Sequence, residues 1–399
     1  MKAVIMAGGQ GLRLRPITDN IPKPLLPVDG VPAIVRILKL LKHHGISEAA
    51  ITSGYLSESI ENALGVESEG IKLTYFKEST PLGTAGGVAA TKDFIGQEDF
   101  VVISGDTVCE TDLSAAAKLR KENDATVLMV LTHVSDPGEY GVVLTNDDNE
   151  IIGFCEKPSV SSTYSDRINT GIYLMSPRIF SFIPEGKCDF SKDVFPKLLK
   201  IGEKMYGITD RNYWCDIGSF HSYRLSNLYY SKGGSTVGRN CTLHTDGIVG
   251  SVLLDRVNIG RGTKIENSII CSDTVIGENC IIGENSVIGA GCVIGDGSII
   301  SDGTVLQRGT NVPEGSMVRS GRAVSPAVLR DMLDESGIRC AVGDMSPSFS
   351  IKLGYAIASA CGFGRIGIMT DGSADSERIS SAVLRGIGES GAECMLLSE

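Results

Sequence analysis

Short apolar runs and stretches of helical periodicity alternate along the first half of the chain. Residues 2–7 (KAVIMA) form an apolar run that predicts a buried strand. Residues 33–44 carry apolar side chains at helical spacing, and the runs AAITS and KLTYF predict two further strands. This alternation indicates an α/β layer with a largely parallel sheet. Because glycines follow several of these strands, we expect a ligand site at their carboxyl ends.

The periodicity changes to six residues in the second half of the chain. A Gly-Gly-Ser linker is predicted at 233–235, and the evenly spaced aliphatic positions that follow are Ile270, Ile276, Ile282, Ile288, Ile294, Ile300 and Leu306. A period of six does not fit an α-helix and is typical of a parallel β-helix, in which each aliphatic side chain points into a triangular coil. Most of these residues precede a glycine, which we expect at the coil corners. We therefore predict a hexapeptide-repeat β-helix over residues 233–319.

The composition excludes several classes of function. The chain has 399 residues, which is enough for two or three domains. A net charge of −11 argues against a nucleic-acid binder. Because the sequence has no signal peptide and no long apolar run, neither export nor a membrane span is expected. The 11 cysteines include no C-x-x-C pair, and as free thiols they indicate a reducing cytoplasm.

The stretch directly after the first strand has the character of a polyphosphate site. Gly8, Gly9 and Gly11 leave backbone N–H groups open to a ligand, and Arg13, Arg15 and Lys23 follow within a few residues. Neither a Walker loop nor a G-x-G-x-x-G loop fits, since Leu14 stands where the last glycine would be.

The string GGQGLRLRP with a following KP resembles the nucleotidyltransferases that make nucleotide sugars, whose pattern is G-G-x-G-x-R-L-x-P and K-P. The resemblance implies a Rossmann-like domain with a mixed sheet over residues 1–232. It also implies that the nucleoside triphosphate is held by Ala7, Gly8, Gly9, Gly11 and Arg13. The equivalent of Lys23 reaches the phosphates in that family, so Arg13 and Lys23 are candidate catalytic residues.

A second glycine-rich segment, PLGTAGG, follows the strand at 72–76. By itself it is typical of a helix entry. Its resemblance to the family's second nucleotide segment implies that Leu82, Gly83 and Thr84 contact the base and ribose. It is similar to the form found in mannose-1-phosphate guanylyltransferases, and the glutamine-containing form of thymidylyltransferases is absent.

Two aspartates are candidate metal ligands. Asp106 and Asp216 each follow an apolar strand, a position that also suits a helix cap. The family resemblance makes both of them ligands of Mg²⁺, a cation that needs only one or two carboxylates in addition to substrate phosphates. The two residues are far apart in sequence, so their pairing rests on the resemblance.

The segment between the aspartates is predicted to bind the sugar phosphate. EYGVV, GFCEKP and RINTG lie at strand ends or within strands. For the Glu-Lys pair, a solvated turn is the ordinary alternative. The family resemblance assigns to the sugar phosphate Gly141, Glu156, Lys157, Asn169 and Thr170. Lys157 would contact the phosphate itself and is the third candidate catalytic residue. The resemblance of this stretch to guanylyltransferases with a mutase-like tail is the reason for favouring mannose.

The last segment, residues 320–399, resembles the first domain of phosphohexomutases, a small α/β unit. The match includes Ser336 to Arg339, and residues 325–336 are predicted to be helical. Ser373 replaces an arginine of the mutase pattern, and the motif with the phosphate-carrying serine does not follow. We expect no mutase activity, and interpret the unit as a remnant used for packing or regulation, or as a truncated piece.

Together these features predict the synthesis of a nucleotide sugar and pyrophosphate from a nucleoside triphosphate and a sugar 1-phosphate, with GTP and mannose 1-phosphate favoured. UTP or dTTP with glucose 1-phosphate is an alternative. Acyl transfer is another, for which His244 is the histidine nearest the repeats. A non-catalytic sensor of nucleotide sugars is the third. The family resemblance makes the β-helix left-handed and implies a homo-oligomer assembled through it.

Overall fold

The computed structural model describes residues 1–134, 137–156, 165–318, 322–323, 333–334, 337–338, 347–360, 365–370 and 373–397. Within these ranges the chain forms an α/β layer, a parallel β-helix and a small group of C-terminal elements. None of the helices in these ranges is long and apolar enough to cross a membrane. The cysteines in these ranges are free thiols.

The α/β layer is built from fourteen strands and seven helices. The strands are β1 (Lys2–Met6), β2 (Pro27–Val28), β3 (Val31–Pro32), β4 (Glu48–Ser53), β5 (Glu67–Ser68), β6 (Ile71–Lys77), β7 (Phe100–Ser104), β8 (Thr107–Cys109), β9 (Val127–His133), β10 (Gly141–Thr145), β11 (Ile151–Glu156), β12 (Arg167–Met175), β13 (Met205–Thr209) and β14 (Trp214–Asp216). The helices are α1 (Ala33–His43), α2 (Ser57–Leu64), α3 (Gly83–Ala89), α4 (Lys92–Ile95), α5 (Leu113–Glu122), α6 (Phe195–Ile201) and α7 (Phe220–Tyr230).

Ten of these strands form one mixed sheet. Its main path runs β11-β10-β12-β7-β1-β4-β6-β5, and β9 and β13 extend it beside β12. Strands β7, β1, β4 and β6 are parallel, as the sequence predicts, whereas β12 and β10 are antiparallel to their neighbours. The sheet is therefore mixed, which confirms the family-based expectation. The purely sequence-based expectation of a largely parallel sheet holds for the half that carries the glycine loop, and in the other half only β9 and β13 pair in parallel among the described strands.

Side chains on the two faces of this sheet form two separate cores. Successive side chains of a strand point to opposite faces. Ile5 therefore packs with α1 and α2 on one face, while Val4 packs with α3 and α6 on the other. Because both faces are covered, the central strands read as continuous apolar runs in the sequence.

The β-helix consists of three parallel stacks of two- or three-residue strands. Its strands are β15 (Thr236–Val237), β16 (Thr242–Leu243), β17 (Ile248–Val249), β18 (Val252–Leu253), β19 (Asn258–Ile259), β20 (Lys264–Glu266), β21 (Ile269–Ile270), β22 (Val275–Ile276), β23 (Ile281–Ile282), β24 (Val287–Ile288), β25 (Val293–Ile294), β26 (Ile299–Ile300), β27 (Val305–Leu306), β28 (Asn311–Val312), β29 (Met317–Val318) and β30 (Arg322–Ala323). The seven evenly spaced aliphatic residues are all buried, and they share one core.

Two kinds of glycine occur in the repeat. Those such as Gly291 and Gly297 have a positive φ, as do Asn279 and Asn285 at equivalent corners. Those that follow the inward aliphatic residue, such as Gly277, have no such φ; a Cβ there would lie 2.1 Å from Oδ1 of Asp296 in the next coil. The glycines expected at the coil corners are of the second kind, and the close stacking of successive coils, rather than a positive φ, explains why glycine stands there.

One face of the β-helix packs against the α/β layer. Val252, Ile269 and Val287 share a buried cluster with Leu14 and Ile17, which follow the glycine loop. Arg224 of α7 reinforces this contact, because its Nη1 donates to the Gly250 carbonyl and to Asn267 Oδ1, each at 3.0 Å. The β-helix therefore supports the segment that carries the candidate nucleotide site.

The described C-terminal elements form a small α/β group. They are β31 (Leu333–Asp334), β32 (Gly337–Ile338), α8 (Pro347–Ala360), β33 (Ile366–Met369), α9 (Ala374–Glu389) and β34 (Cys394–Leu397). Strands β33 and β34 are parallel, and α8 and α9 cross closely at two glycines, Gly354 and Gly386. The resemblance to a mutase domain stays a prediction.

The predicted helix over residues 325–336 is wrong at its end. Leu333 and Asp334 form a strand that pairs antiparallel with Gly337 and Ile338, so these two residues are not helical. Residues 325–332 and 335–336 of that prediction, and also Arg339 of the mutase-like match, lie outside the described residues.

The β-helix offers a matched test of its inward packing. Ile294 is 1% exposed, whereas its neighbour Val293 is 47% exposed. We expect Ile294→Ala to lower the free energy of unfolding by about 2–5 kcal/mol, because it leaves a cavity between coils. Val293→Ala should change it by roughly 0.5 kcal/mol or less. Urea denaturation followed by circular dichroism measures both, and equal losses would contradict the assigned inward direction.

Candidate active site

The predicted site residues lie along one row at the carboxyl ends of the parallel strands. Met6 pairs with Ser104 on one side and with Thr52 on the other, so the glycine loop and Asp106 leave neighbouring strands at the same level. Pairing of Ile172 with Ile103 sets Gly171 of β12 beside Ser104. The structure thus brings the predicted nucleotide and sugar segments to one edge, where open α/β sheets bind ligands.

The glycine loop is held by a turn that only a few residue types favour. Gly11 has φ of 65°, and a Cβ there would lie 3.1 Å from Thr18 Cγ2. The Thr18 hydroxyl donates to the Gly11 carbonyl at 2.8 Å. No protein atom of the described residues lies within 4 Å of a Cβ built on Gly9, so this backbone is open to a ligand. These features favour close approach of a phosphate to the loop.

Lys23 lies between the two candidate metal ligands. It begins a short 3-10 helix (Lys23–Leu25) between Pro22 and Pro24, and it is only 8% exposed. Its Nζ donates to Asp106 Oδ2 and, at 3.2 Å, to Asp216 Oδ1. Burial lowers the pKa of Lys23, but the attraction of the two carboxylates outweighs it and raises the pKa overall. The Lys23 side chain is therefore positively charged at neutral pH.

The pairing of the two aspartates has a backbone cause. Strand β14 pairs antiparallel with β8, which places Asp216 opposite Thr107, and the Ile217 amide donates to the Asp106 carbonyl at 3.2 Å. Burial and the charge of Asp106 raise the pKa of Asp216, while Lys23 opposes that rise. Ser104 Oγ donates to Asp106 Oδ1 at 2.8 Å and fixes its carboxylate.

Arg13 completes the positive charge at this site. A Cβ on Gly218 would lie 3.1 Å from Arg13 Nη2 and 2.9 Å from Asp216 Oδ2, so all three groups meet. The charge of Arg13 also contributes to lowering the pKa of Asp216. A cavity of about 350 Å³ opens here, lined by Gly9, Gln10, Gly11, Leu12, Arg13, Leu14, Lys23, Asp106 and Gly218.

The donor set fits a hard divalent cation that shares its coordination with a substrate. The described residues contain no group of three or more His, Cys, Asp or Glu side chains able to hold a metal by themselves. Asp106 and Asp216 form a carboxylate pair that already holds one cation, the Lys23 ammonium. Mg²⁺ is commonly bound by one or two carboxylates together with substrate phosphates, and this pair meets that requirement.

The second nucleotide segment is braced by a distant loop. Gly83 has φ of 77°, and a Cβ there would lie 2.5 Å from the Cys188 carbonyl oxygen. The Leu82 carbonyl accepts from the Cys188 amide at 2.8 Å. The Thr84 hydroxyl donates to Asp189 at 2.9 Å, and it accepts from the Phe190 amide at 2.8 Å. Both of these bonds hold Thr84 to the protein, so its predicted contact with the ribose stays a prediction.

The segments predicted to bind the sugar lie on the adjacent strands β10 and β12. Pairing of Val142 with Ile168 sets Gly141 next to Asn169. The Asn169 amide donates to Tyr173 Oη at 2.8 Å. The Thr170 hydroxyl is buried and donates to the Val130 carbonyl at 2.7 Å, so its predicted contact with the sugar phosphate stays a prediction.

Two of the predicted sugar-phosphate residues are only partly covered by the structure. The backbone of Glu156 ends β11 opposite Gly141, but its side chain lies outside the described residues. Lys157 lies outside them altogether. Their roles therefore stay predictions.

Three residues at the site were not predicted from the sequence. Ser104 precedes Gly105-Asp106. The sequence pattern that could have indicated it is a polar residue at the end of an apolar strand. Gly218 directly follows Asp216-Ile217 and makes room for Arg13. Glu78 accepts from the Leu82 amide at 3.0 Å, and a Cβ on Gly8 would lie 3.9 Å from its carboxylate. Glu78 joins the two nucleotide segments through space, which no local pattern could show.

Comparison with known proteins identifies the family. The family model for nucleotidyl transferases matches residues 2–233, more than half of the chain. The chain belongs to the nucleotidyl transferase family. A second model, for the bacterial transferase hexapeptide (six repeats), matches residues 256–290 and 273–308 within the β-helix. The resemblance seen in the glycine loop and the prediction of hexapeptide repeats are thereby confirmed.

The relatives include enzymes of different base specificity. A mannose-1-phosphate guanylyltransferase of Mycobacterium tuberculosis is 30% identical over 289 residues, covering 67% of this chain and 79% of that protein. A UTP–glucose-1-phosphate uridylyltransferase of Synechocystis sp. is 36% identical over 238 residues, covering 56% of this chain but only 61% of that protein. The chain thus spans less than two thirds of this second relative.

One solved structure supports the fold of the nucleotidyl transferase domain. HddC from Yersinia pseudotuberculosis, complexed with GMP-PN, superposes with a TM-score of 0.51 at 26% identity. The match covers 57% of this chain and 99% of that chain.

The position of Lys23 between two carboxylates predicts competition with a divalent cation. Lys23→Met should bind Mn²⁺ without nucleotide about tenfold more tightly than the unchanged protein, because a neighbouring positive charge is removed. Electron paramagnetic resonance of free Mn²⁺ measures this binding. Lys77→Met, which removes an exposed lysine, is the matched control and should leave Mn²⁺ affinity unchanged. Equal affinities in all three proteins would contradict the arrangement.

Proposed function

We propose that this nucleotidyl transferase joins GTP and mannose 1-phosphate to form GDP-mannose and pyrophosphate. The observation that carries the proposal is the cavity lined by the open glycine loop, Lys23 and Asp106, with Asp216 held beside it by its hydrogen bond from Lys23. The guanylyltransferase of M. tuberculosis, similar to this chain over 67% of its length, supports guanine and mannose. GMP-PN in the HddC structure is a further guanine nucleotide bound to a similar fold.

The proposed reaction needs no general base. An oxygen of the sugar phosphate, already an anion at neutral pH, attacks the α-phosphorus of GTP. The bond from that phosphorus to the bridging oxygen breaks, and pyrophosphate leaves with the electron pair. The protein contributes orientation and charge: the glycine loop and Arg13 hold the triphosphate, and Lys23 stabilises the leaving pyrophosphate. Asp106 and Asp216 would hold Mg²⁺, which supplies further charge stabilisation on the phosphates.

The sugar phosphate is proposed to lie across β10 and β12. Gly141 leaves room beside Asn169, and Trp214 Nε1 donates to the Thr170 carbonyl at 3.0 Å. Trp214 is two residues before Asp216 on β14. This bond therefore ties the sugar strand to the strand that carries a proposed metal ligand. Glu156 and Lys157 are proposed to bind the sugar hydroxyls and the phosphate.

UTP with glucose 1-phosphate is the second candidate pair, favoured by the 36% identity to the Synechocystis uridylyltransferase. The catalytic groups would act in the same way on either pair. The acyl-transfer alternative has less support, because His244 is exposed near the start of the β-helix. A non-catalytic sensor would not require the pair of aspartates or the Lys23 ammonium that is bound between them.

The substrate pair is tested by measuring pyrophosphate release with Mg²⁺ while GTP, UTP, dTTP, ATP and CTP are crossed with mannose 1-phosphate and glucose 1-phosphate. We expect release with GTP and mannose 1-phosphate. The matched inactive control is Asp106→Asn, which should lower kcat by roughly 10²-fold because one proposed metal ligand loses its charge. Release with UTP and glucose 1-phosphate alone would assign the second pair. No release with any pair would overturn the enzymatic proposal.

We also propose that the chain self-associates through the β-helix. Ile281, Ile299 and Met317 stack in register as an outward column, in which Ile281 is 46% and Met317 60% exposed. A contiguous apolar strip of this kind is typical of an interface.

The proposed interface is tested by analytical ultracentrifugation. Ile281→Lys should dissociate the assembly to monomers, because it places a charge in the apolar column. Val293→Lys, on a different face of the coil, is the matched control and should leave the mass unchanged. A monomeric unchanged protein, or equal masses for both variants, would contradict this interface.

A further inference from the structure

A second cavity lies at the junction of the nucleotidyl transferase domain and the β-helix. Its volume is about 480 Å³, within the range of small-molecule pockets. It is separate from the cavity at the glycine loop, and its lining residues are Ser219, Phe220, His221, Arg224, Asn267, Ile269, Asn285, Ser286 and Val287. One wall is the start of α7, and the other is formed by two successive coils of the β-helix.

The charged group of this cavity is a buried arginine with unused donors. Arg224 is 9% exposed, and Nη1 makes both of its hydrogen bonds, to the Gly250 carbonyl and to Asn267 Oδ1. Its Nε and Nη2 groups have no hydrogen-bond partner in the part of the chain that the structure describes. Burial lowers the pKa of Arg224, and the charge of Glu284 opposes that shift. A buried guanidinium with free N–H groups is stabilised by an anionic partner.

The remaining lining residues suit an organic phosphate. His221 and Ser219 are exposed polar side chains at the start of α7, and Asn285 adds an amide from the coil corner. Ile269 and Val287 form an apolar floor. The guanidinium matches the geometry of phosphate oxygens, while the volume and the apolar floor leave room for the carbon skeleton of a small molecule.

We propose that this junction cavity is a binding site for the phosphate group of a small phosphorylated metabolite, with Arg224 as the residue that binds the phosphate. The site is distinct from the proposed active site. It is nevertheless close to that site along the chain, because Ser219 directly follows Gly218, which lines the glycine-loop cavity. The proposal rests on the cavity and on Arg224, and it holds whichever substrate pair the enzyme uses.

Hydrogen–deuterium exchange of the full-length chain tests the site without measuring turnover. The probes are inorganic phosphate and glucose 6-phosphate, each at 10 mM, against sodium chloride at equal ionic strength. We expect slower exchange in residues 219–224 and 267–287 with at least one probe. Slower exchange with both probes indicates recognition of the phosphate alone, whereas an effect of glucose 6-phosphate only indicates that the carbon skeleton is also bound. Protection confined to residues 8–23, or none, would overturn the proposal.

Variants assign the effect to the arginine. Arg224→Gln should weaken the binding of the effective probe at least tenfold, as measured by the concentration dependence of the protection. Arg256→Gln removes an exposed arginine that pairs with Asp273 elsewhere on the β-helix, and should leave the binding unchanged. His221→Ala, at an exposed position, should weaken it about two- to fivefold and serves if Arg224→Gln does not fold. If the His221→Ala and Arg224→Gln variants both bind the effective probe as tightly as the unchanged protein does, the proposal is also overturned.

Discussion

The arrangement of the site depends on one buried cation held between two carboxylates. Lys23, Asp106 and Asp216 come from three distant parts of the chain, and the Lys23 ammonium offsets the repulsion between the two carboxylates that it contacts. Removing one partner from such a group leaves an uncompensated buried charge, which is strongly unfavourable. We propose that the same arrangement prepares the site for catalysis, because a carboxylate pair that holds an ammonium in the free protein has the charge to hold a divalent cation when a triphosphate binds. Lys23 is then available to the phosphates.

The rest of the fold keeps these groups in register. The parallel strands β1 and β7 set the glycine loop and Asp106 at the same level, and the short pairing of β8 with β14 brings in Asp216. The β-helix packs against Leu14 and Ile17, which lie in the segment after the glycine loop. A domain with a different periodicity therefore packs against the segment that carries the proposed nucleotide site, in addition to its proposed role in assembly.

Local sequence patterns predicted those parts of the structure that depend on neighbouring residues. The apolar runs predicted the central strands, and the six-residue period predicted the β-helix with seven of its buried aliphatic residues, because each depends on a repeating local geometry. The pairing of Asp106 with Asp216 rested on family resemblance, since a long-range strand pair creates it. The contacts of Thr84 with Asp189, and of Gly218 with Arg13, come from segments far apart in sequence. No period or spacing encodes them. The helix predicted at 325–336 failed at Leu333, where pairing with Ile338 outweighs a favourable helical pattern.

The most direct test of this account is a crystal structure of the chain with Mg²⁺ and a non-hydrolysable GTP analogue. The account predicts that the metal lies between Asp106 and Asp216 and that Lys23 Nζ has moved from these carboxylates to a phosphate oxygen. It also predicts that the triphosphate lies over the backbone of the glycine loop beside Arg13. A complex in which Lys23 still bridges both aspartates, with the metal and triphosphate bound elsewhere, would contradict the central claim.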